Sequence, residues 1–428
     1  EDTDPARSKK EFEKNILEGL LWLGMKPDEE PVRQSERGVL YRKYLEKLLE
    51  EGKAFYCTHT KEYLETERKE QMARKEAPRH VCSNRDEKKD TGIIRLKNNE
   101  RGAVIVPDII RGDIPFEAEN LGDFAIARSL DSALFHFAVV VDDFEMKITH
   151  VTRGEDHISN TPKHILIQQA IGAPLPVYAH LPLVLGSDRS KLSKRHGSTS
   201  IDEYRKQGYL PEAIVNFIAL LGWHPPSKII DGKRVDQEIF TREELVKEFS
   251  WERIQKGGAI FDIEKLDWVN REHLKAKNPD ELTALLQDYL NPAWISSGLD
   301  LGKIAVLARE RISKLADVAE ETKFFFEPPH YPKEMLFWKG KGEAEEIERH
   351  LSELEKIISK ISKNDFSLAW LADAIMPYAE QEGRGEVLWP FRVALSGREK
   401  SPGPFEIAEI LGKENVLERI RYAKELLS

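Results

Sequence analysis

Basic side chains are concentrated in the loop Lys191-Leu192-Ser193-Lys194-Arg195-His196-Gly197, which holds two lysines and an arginine within five residues. The loop follows an apolar run at residues 180–186 that has the pattern of a buried strand. Cationic side chains on such a loop can stabilise a polyphosphate while negative charge develops on it. A short basic run is more often a solvated surface, so the assignment depends on what the fold places beside it.

A second polar segment, Thr152-Arg153-Gly154-Glu155-Asp156-His157, follows a predicted strand at residues 146–151. A predicted helix at residues 161–170 then leads to a strand at residues 178–186 and to the basic loop. This alternation is typical of a doubly wound α/β domain, in which ligands bind at the carboxyl ends of the strands. Both polar segments occupy such positions.

Three further patterns describe the chain around these segments. Short predicted strands separated by turns at residues 92–124 indicate an inserted lobe with antiparallel strands at residues 53–130. The continuous apolar run at residues 135–141 predicts a strand covered on both faces. Beyond residue 279, charged amphipathic segments predict helices.

The composition limits the class of protein. The 428 residues suffice for about two to four domains, and no apolar stretch approaches the ~20 residues of a membrane span. Two cysteines cannot form a disulfide framework, which predicts a reducing, cytoplasmic compartment. The net charge of −10 argues against a generally basic nucleic-acid-binding surface but allows local basic grooves.

Four stretches, in order along the chain, resemble the bacterial type of glutamyl-tRNA synthetase (glutamate–tRNA ligase), a class I aminoacyl-tRNA synthetase. They are residues 1–8, after the family's first nucleotide-binding motif; residues 139–143 with 149–157, its amino-acid and ATP pocket; residues 191–195, the second class I signature; and residues 395–398 with 401–405, near the end of its anticodon-binding domain.

The resemblance implies an α/β fold, in which a Rossmann-like catalytic domain with an inserted α+β lobe precedes an all-α C-terminal half. The implied division is residues 1–52, the first part of the catalytic domain; 53–130, the lobe that binds the acceptor end of tRNA; 131–200, the second part of the catalytic domain; 201–278, a stem-contact region; and 279–428, a helical anticodon-binding domain.

The resemblance also implies the reaction and its participants. L-Glutamate and ATP would give glutamyl-adenylate and pyrophosphate, and the glutamyl group would then pass to tRNA(Glu). Mg²⁺ would accompany ATP, and bound tRNA is needed for the first step in this family. The family implies a monomer without a membrane partner.

The glutamate-binding residues are carried over from the family one by one. Glu1 would meet the α-amino group, and Arg153 would pair with the side-chain carboxylate, which a planar guanidinium fork suits. Phe135 stands where the family has a substrate-facing tyrosine, so a hydroxyl hydrogen bond worth about 0.5–1.5 kcal/mol is lost. The alternative for Arg153 is an internal ion pair with Asp156. The neighbouring His136 is interpreted as a partly buried, hydrogen-bonded strand histidine.

The nucleotide-binding residues follow in the same way. Those packed against the adenosine part would be Asp156, His157, Leu183 and Val184. Those that hold the phosphates would be Lys191, Ser193, Lys194 and Arg195. Lys194, together with Lys191, would stabilise the departing pyrophosphate and is the main catalytic candidate.

Cysteine and histidine recur as two close pairs in the inserted lobe, Cys57 with His59 and His80 with Cys82. Some relatives bind zinc in this region, and two sulfur and two nitrogen ligands would suit tetrahedral Zn²⁺. The spacing within each pair is tighter than in zinc fingers. The alternative, two ordinary buried cysteines beside surface histidines, remains open and is slightly favoured.

Several arginines and lysines are candidate tRNA contacts, although a solvated charge at a strand edge is the alternative for each. The acceptor-end candidates are Arg95, Lys97, Arg101 and Arg111, and the anticodon-end candidates are Arg392 and Arg398.

Two other functions are compatible with parts of the pattern. Glutaminyl-tRNA synthetases end in β-barrel anticodon domains, whereas this chain ends in predicted helices. A non-catalytic tRNA-binding paralogue would not need the basic loop at residues 191–195, because a pure binder stabilises no departing pyrophosphate.

The family's first signature, a His-x-Gly-His run whose histidines stabilise the phosphates of ATP, does not occur in residues 1–428. We therefore expect a chain synthesised as these residues to be nearly inactive in glutamate- and tRNA-dependent exchange of pyrophosphate into ATP. Robust exchange by residues 1–428 alone would contradict this expectation.

Overall fold

The computed structural model describes residues 2–3, 8–193, 195, 200–231 and 233–428. The chain divides into two compact units, one formed by Glu1–Asp202 with Ile214–Ile263 and the other by Glu203–Ala213 with Glu264–Ser428. The finer division at residues 52, 130, 200 and 278 stays a prediction. Within the described part of the chain, no helix combines the length and apolar character needed to cross a bilayer.

The helices of the described residues are α1 (Lys10–Trp22), α2 (Gly38–Glu50), α3 (Lys61–Ala73), α4 (Phe135–Glu145), α5 (Thr161–Ile171), α6 (Ile201–Lys206), α7 (Pro211–Gly222), α8 (Arg242–Glu248), α9 (Ile263–Ala276), α10 (Pro279–Gln287), α11 (Pro292–Ile295), α12 (Leu301–Arg309), α13 (Val318–Phe326), α14 (Ala344–Lys360), α15 (Leu368–Glu382), α16 (Arg384–Ser396) and α17 (Pro404–Leu427). The strands are β1 (Ala54–Cys57), β2 (Ile93–Leu96), β3 (Ala103–Asp108), β4 (Gly112–Glu117), β5 (Ala125–Ser129), β6 (Ser132–Ala133), β7 (His150–Gly154), β8 (Val177–Leu181), β9 (Val184–Leu185), β10 (Lys228–Ile230), β11 (Lys233–Val235) and β12 (Ala259–Ile260).

Two four-stranded sheets organise the first unit. One has the order β1-β2-β5-β6 and is antiparallel. The other has the order β4-β3-β8-β7, in which β7 and β8 are parallel and β3 meets β8 in parallel at Asp108 and Tyr178. The β3–β4 hairpin therefore extends the sheet that carries the two predicted ligand-binding segments. Together with the helical second unit, this confirms the predicted fold class.

The predicted strand at residues 135–141 is wrong, because these residues begin helix α4. Its apolar residues are buried as a helix would bury them, with Phe137, Ala138 and Val141 all fully inaccessible. A short apolar run does not by itself distinguish a buried strand from a buried helix. Strands β10 and β11 form a separate antiparallel hairpin.

Each unit has its own apolar core. In the first, α2, α4 and α5 contribute Leu45, Phe137 and Ile165 to a cluster that also includes strand residues. In the second, α14, α16 and α17 pack together, and the apolar side of α14 is buried through Leu351 and Leu354. The predicted C-terminal helices are confirmed by this packing.

Asp142 links three segments of the first unit through its buried carboxylate. It accepts hydrogen bonds from Gln34 Nε2 at 3.2 Å, from Arg37 Nε at 2.7 Å and from Tyr41 OH at 2.7 Å. Asp142 therefore adds a polar link between α4 and α2 to their apolar packing.

We expect Asp142→Ala to lower the free energy of unfolding by about 3 kcal/mol, because Arg37 and Tyr41 would lose their buried acceptor. The measurement is urea unfolding followed by a probe in the first unit. Asp131→Ala removes an exposed partner of Arg42 and serves as the control, with little or no expected change. Equal effects of the two substitutions would contradict the role given to Asp142.

Candidate active site

The two predicted ligand-binding segments lie side by side because β7 and β8 are parallel neighbours. Arg153 near the end of β7 pairs in register with His180 on β8. Directly paired residues project to the same face of a sheet, so the two side chains meet. A 3-10 helix, Glu155–Asn160, then leads from β7 into α5.

The Arg153 guanidinium contacts three neutral side chains. Its Nε donates to His180 Nε2 at 3.2 Å, and its Nη2 donates to Thr161 Oγ1 at 2.6 Å. Its Nη1 lies 3.3 Å from His164 Nδ1. The contacts use three different nitrogen atoms, so they fix both the position and the orientation of the guanidinium.

Three histidines around this arginine are held in the neutral form. Burial lowers the pKa of His180 and outweighs the hydrogen bond to Asp108, which raises it. Burial, followed by the charge of Arg153, lowers the pKa of His164 to about 2. Burial likewise lowers the pKa of His136 to about 4. At neutral pH these rings can therefore accept hydrogen bonds from an arginine.

Phe135 begins α4 and lies beside the same histidines. Its ring centroid is 6.1 Å from the rings of both His157 and His164. The adjacent His136 is hydrogen-bonded, as predicted, through its Nδ1 to His164 Nε2 at 3.0 Å, but it lies on a helix and not on a strand. The structure thus brings together Phe135 and Arg153, two of the predicted glutamate-binding residues.

The predicted nucleotide-binding residues connect the second polar segment with the basic loop. Asp156 Oδ2 accepts a hydrogen bond from Lys191 Nζ at 2.7 Å, and this contact lowers the pKa of Asp156. Asp156 thus forms an ion pair with Lys191, and not the pair with Arg153 that was the alternative interpretation. Leu183 N donates to Glu155 Oε1 at 3.0 Å, and Val184 in β9 pairs with Ala259.

The rest of the basic loop is only partly described. Arg195 contacts Asp188 Oδ2 at 3.2 Å and Ser190 Oγ at 2.6 Å, and Ser193 is exposed. Lys194, the main catalytic candidate, and Glu1, the candidate contact of the α-amino group, lie outside the described residues.

Local sequence patterns missed the residues that support Arg153. His180 and Asp108 are both completely buried, with their side chains 2.6 Å apart, and they are 72 positions apart in the chain. The signal that was available is the histidine inside an apolar strand, since a buried imidazole needs polar partners. Its partners could not be read from a local pattern.

Two of the proposed phosphate contacts in the inserted lobe are wrong. Arg95 is 7% exposed and donates to the carbonyl of Asp123 at 2.8 Å. Arg111 forms an ion pair with Glu155 at 2.6 Å and donates to the carbonyl of His180. Both guanidinium groups therefore form contacts within the protein that stabilise its fold.

The other candidate tRNA contacts have varied surroundings. Lys97 pairs with Asp86, whereas Arg101 is exposed and donates to the carbonyl of Glu100. Arg398 pairs with Glu320 and with Glu321, and Arg392 is half-buried on α16.

The cysteine and histidine pairs form one compact cluster. Cys57 Sγ lies 3.5 Å from His59 Nδ1, 3.7 Å from His80 Nε2 and 3.9 Å from Cys82 Sγ. A tetrahedral zinc with ordinary bond lengths separates its ligand atoms by about 3.3–3.8 Å. The four ligand atoms lie within 4.8 Å of one another, so the set fits a zinc ion.

Glu67 adds an outer contact to this cluster. Its carboxylate lies 2.7 Å from His80 Nδ1, on the side of the ring away from the sulfur atoms. Such a contact selects the tautomer whose Nε2 is free to bind a metal. The side chain of His80 is only 8% exposed, which does not match the alternative of surface histidines.

Comparison with known proteins defines first the class of the chain. Residues 1–268 match the catalytic domain of the class I tRNA synthetases (E and Q), and residues 281–424 match an anticodon-binding domain. The chain is 42% identical to glutamate–tRNA ligase 2 of Thermoanaerobacter pseudethanolicus, a match that covers 100% of this chain and 90% of that protein. It is 41% identical to glutamate–tRNA ligase 1 of Caldanaerobacter subterraneus, over 99% of this chain and 89% of that protein.

A solved structure supports the same relationship. A glutamate–tRNA ligase from Elizabethkingia meningosepticum, crystallised in complex with its amino acid, is 31% identical and superimposes with a TM-score of 0.86. The alignment covers 100% of this chain and 92% of that one. The chain belongs to the glutamate–tRNA ligase family.

Proposed function

We propose that the site serves the ATP-dependent attachment of L-glutamate to tRNA(Glu), with Arg153 as the residue that binds the glutamate side chain. The observation that carries this assignment is the Arg153 guanidinium, which neutral acceptors hold at the carboxyl end of β7. A carboxylate is the planar anion that fits its fork.

The reaction has two steps in this assignment. An oxygen of the α-carboxylate of glutamate attacks the α-phosphorus of ATP, and the bond to the β-phosphate oxygen breaks to release pyrophosphate. A ribose hydroxyl at the 3′ end of tRNA then attacks the activated carbonyl and releases AMP. The protein mainly positions the groups and offsets developing charge, and Mg²⁺ accompanies the phosphates.

The basic loop would contact the pyrophosphate that leaves in the first step. Lys191, Ser193, Lys194 and Arg195 are the candidates for this contact. The Lys191–Asp156 pair is largely exposed, with side chains 62% and 40% accessible. Exposed ion pairs contribute little to stability, so the phosphates of ATP can displace Asp156 at small cost.

The adenosine part of ATP would pack against Asp156, His157, Leu183 and Val184. The match of residues 281–424 to an anticodon-binding domain supports the helical second unit as the part that contacts the anticodon. A monomeric state and a cytoplasmic location stay predictions from the sequence.

Substitution of Arg153 tests the glutamate-binding role directly. We expect Arg153→Lys to weaken L-glutamate binding at least about tenfold, because an ammonium cannot form the two parallel hydrogen bonds of a guanidinium fork. The measurement is titration calorimetry in the presence of tRNA(Glu). Arg42→Lys, at an exposed arginine away from the pocket, is the matched control. Unchanged glutamate affinity in Arg153→Lys would contradict the assignment.

We also propose that Cys57, His59, His80 and Cys82 hold a structural zinc ion. All four positions would be filled by protein ligands, so the ion would stabilise the lobe and would not bind substrate. Phe55 forms a small apolar cluster with the two cysteines, so a bound metal would add to the packing at this end of the lobe.

Elemental analysis of the purified protein should find about one zinc per chain. Cys82→Ser should lose the metal and lower the melting temperature, and a chelator should lower the melting temperature of the unsubstituted chain. His224→Ala, at an exposed histidine outside the cluster, should keep the metal. Metal-free protein with a melting temperature that a chelator leaves unchanged would rule out the site.

A further inference from the structure

Behind Arg153 lies a completely buried pair of side chains, Asp108 and His180. The carboxylate of Asp108 accepts four N–H groups. Its Oδ1 accepts from the backbone of Ile110 and Arg111 at 2.9 and 2.8 Å. Its Oδ2 accepts from the backbone N of His180 at 2.9 Å and lies 2.6 Å from His180 Nδ1.

These contacts determine the tautomer of His180. A carboxylate that already accepts three backbone N–H groups offers His180 Nδ1 only an acceptor, so Nδ1 must carry the proton. In the neutral ring Nε2 is then unprotonated and can accept from Arg153 Nε, which lies 3.2 Å away. The other tautomer would set two N–H groups against each other at this distance.

A second histidine, His164 on α5, also contacts Arg153. His164 Nδ1 faces Arg153 Nη1 and must accept, because a guanidinium only donates. His164 Nε2 then carries the proton and donates to His136 Nδ1 at 3.0 Å. Both imidazoles that contact Arg153 are thus restricted to one tautomer.

We propose that Asp108 and His180 are positioning residues for amino-acid recognition. Asp108 fixes the Nδ1–H tautomer of His180, and His180 Nε2 holds the Arg153 guanidinium in the orientation that receives the side-chain carboxylate of the substrate. This inference rests on the proposed role of Arg153. It assigns the selectivity for a carboxylate to a buried pair that touches no substrate.

Three substitutions separate tautomer control from packing. In Asp108→Asn the amide can donate to His180 Nδ1, which moves the ring proton to Nε2 and turns it toward Arg153. His180→Asn can keep a contact with Asp108 but is too short to reach Arg153. His180→Gln places an amide oxygen near the position of Nε2 and restores an acceptor for Arg153.

We expect Asp108→Asn and His180→Asn to weaken L-glutamate binding about tenfold or more, which corresponds to about 1.4 kcal/mol. ATP affinity should be unchanged, and His180→Gln should recover most of the loss in His180→Asn. Asp123→Asn changes another buried aspartate that accepts backbone N–H groups, and is the matched control with unchanged glutamate affinity. All binding is measured by titration calorimetry on the full chain with tRNA(Glu).

Nitrogen-15 spectra of the histidine rings read the tautomer directly. His180 should carry its proton on Nδ1 in the unsubstituted chain and on Nε2 in Asp108→Asn. A proton on Nε2 in the unsubstituted chain would overturn the proposal, even if the variants fail to fold.

The outcomes also separate this inference from the proposed function. If Arg153→Lys binds glutamate as tightly as the unsubstituted chain, the role of Arg153 itself is wrong. If Arg153→Lys loses affinity while Asp108→Asn and His180→Asn keep it, only the positioning role is overturned.

Discussion

The interaction on which the candidate site depends is the hold of neutral acceptors on the Arg153 guanidinium. A partly buried positive charge is costly unless its N–H groups are satisfied. His180, His164 and Thr161 satisfy N–H groups without adding negative charge at the fork. Asp108, the carboxylate that supports this arrangement, contacts His180 and acts on Arg153 only through that ring. Its oxygens accept hydrogen bonds from other donors.

The sheet order makes this arrangement possible. Because β8 lies between β3 and β7, Asp108 at the end of β3 and Arg153 near the end of β7 approach His180 from either side. Arg111 also supports this region, because it donates to the carbonyl of His180 and forms an ion pair with Glu155. An arginine that could have faced a phosphate instead fixes the end of the strand next to the pocket.

The sequence predicted the residues whose neighbours along the chain mark them, such as Arg153 near a strand end and Lys191 in a basic loop, although the strand predicted at residues 146–151 is His150–Gly154 and includes Arg153. Such positions follow from periodicity and from the preference of α/β folds for ligands at strand ends. The pattern could not predict that residues 135–141 form a helix, because burial on all sides hides the period. Nor could it pair Asp108 with His180, because the two residues are 72 positions apart and meet only when β3 pairs with β8. The Cys57–His59 and His80–Cys82 pairs lie between these cases, because the sequence offered a shared zinc site as one of two interpretations and the structure brings the four side chains together.

The most direct test of the account is a crystal structure of the chain with bound L-glutamate. It should show the side-chain carboxylate of glutamate against the Arg153 guanidinium, with Arg153 Nε still within hydrogen-bonding distance of His180 Nε2. A glutamate whose side chain lies against other residues, or an Arg153 that has left His180 to reach it, would contradict the account.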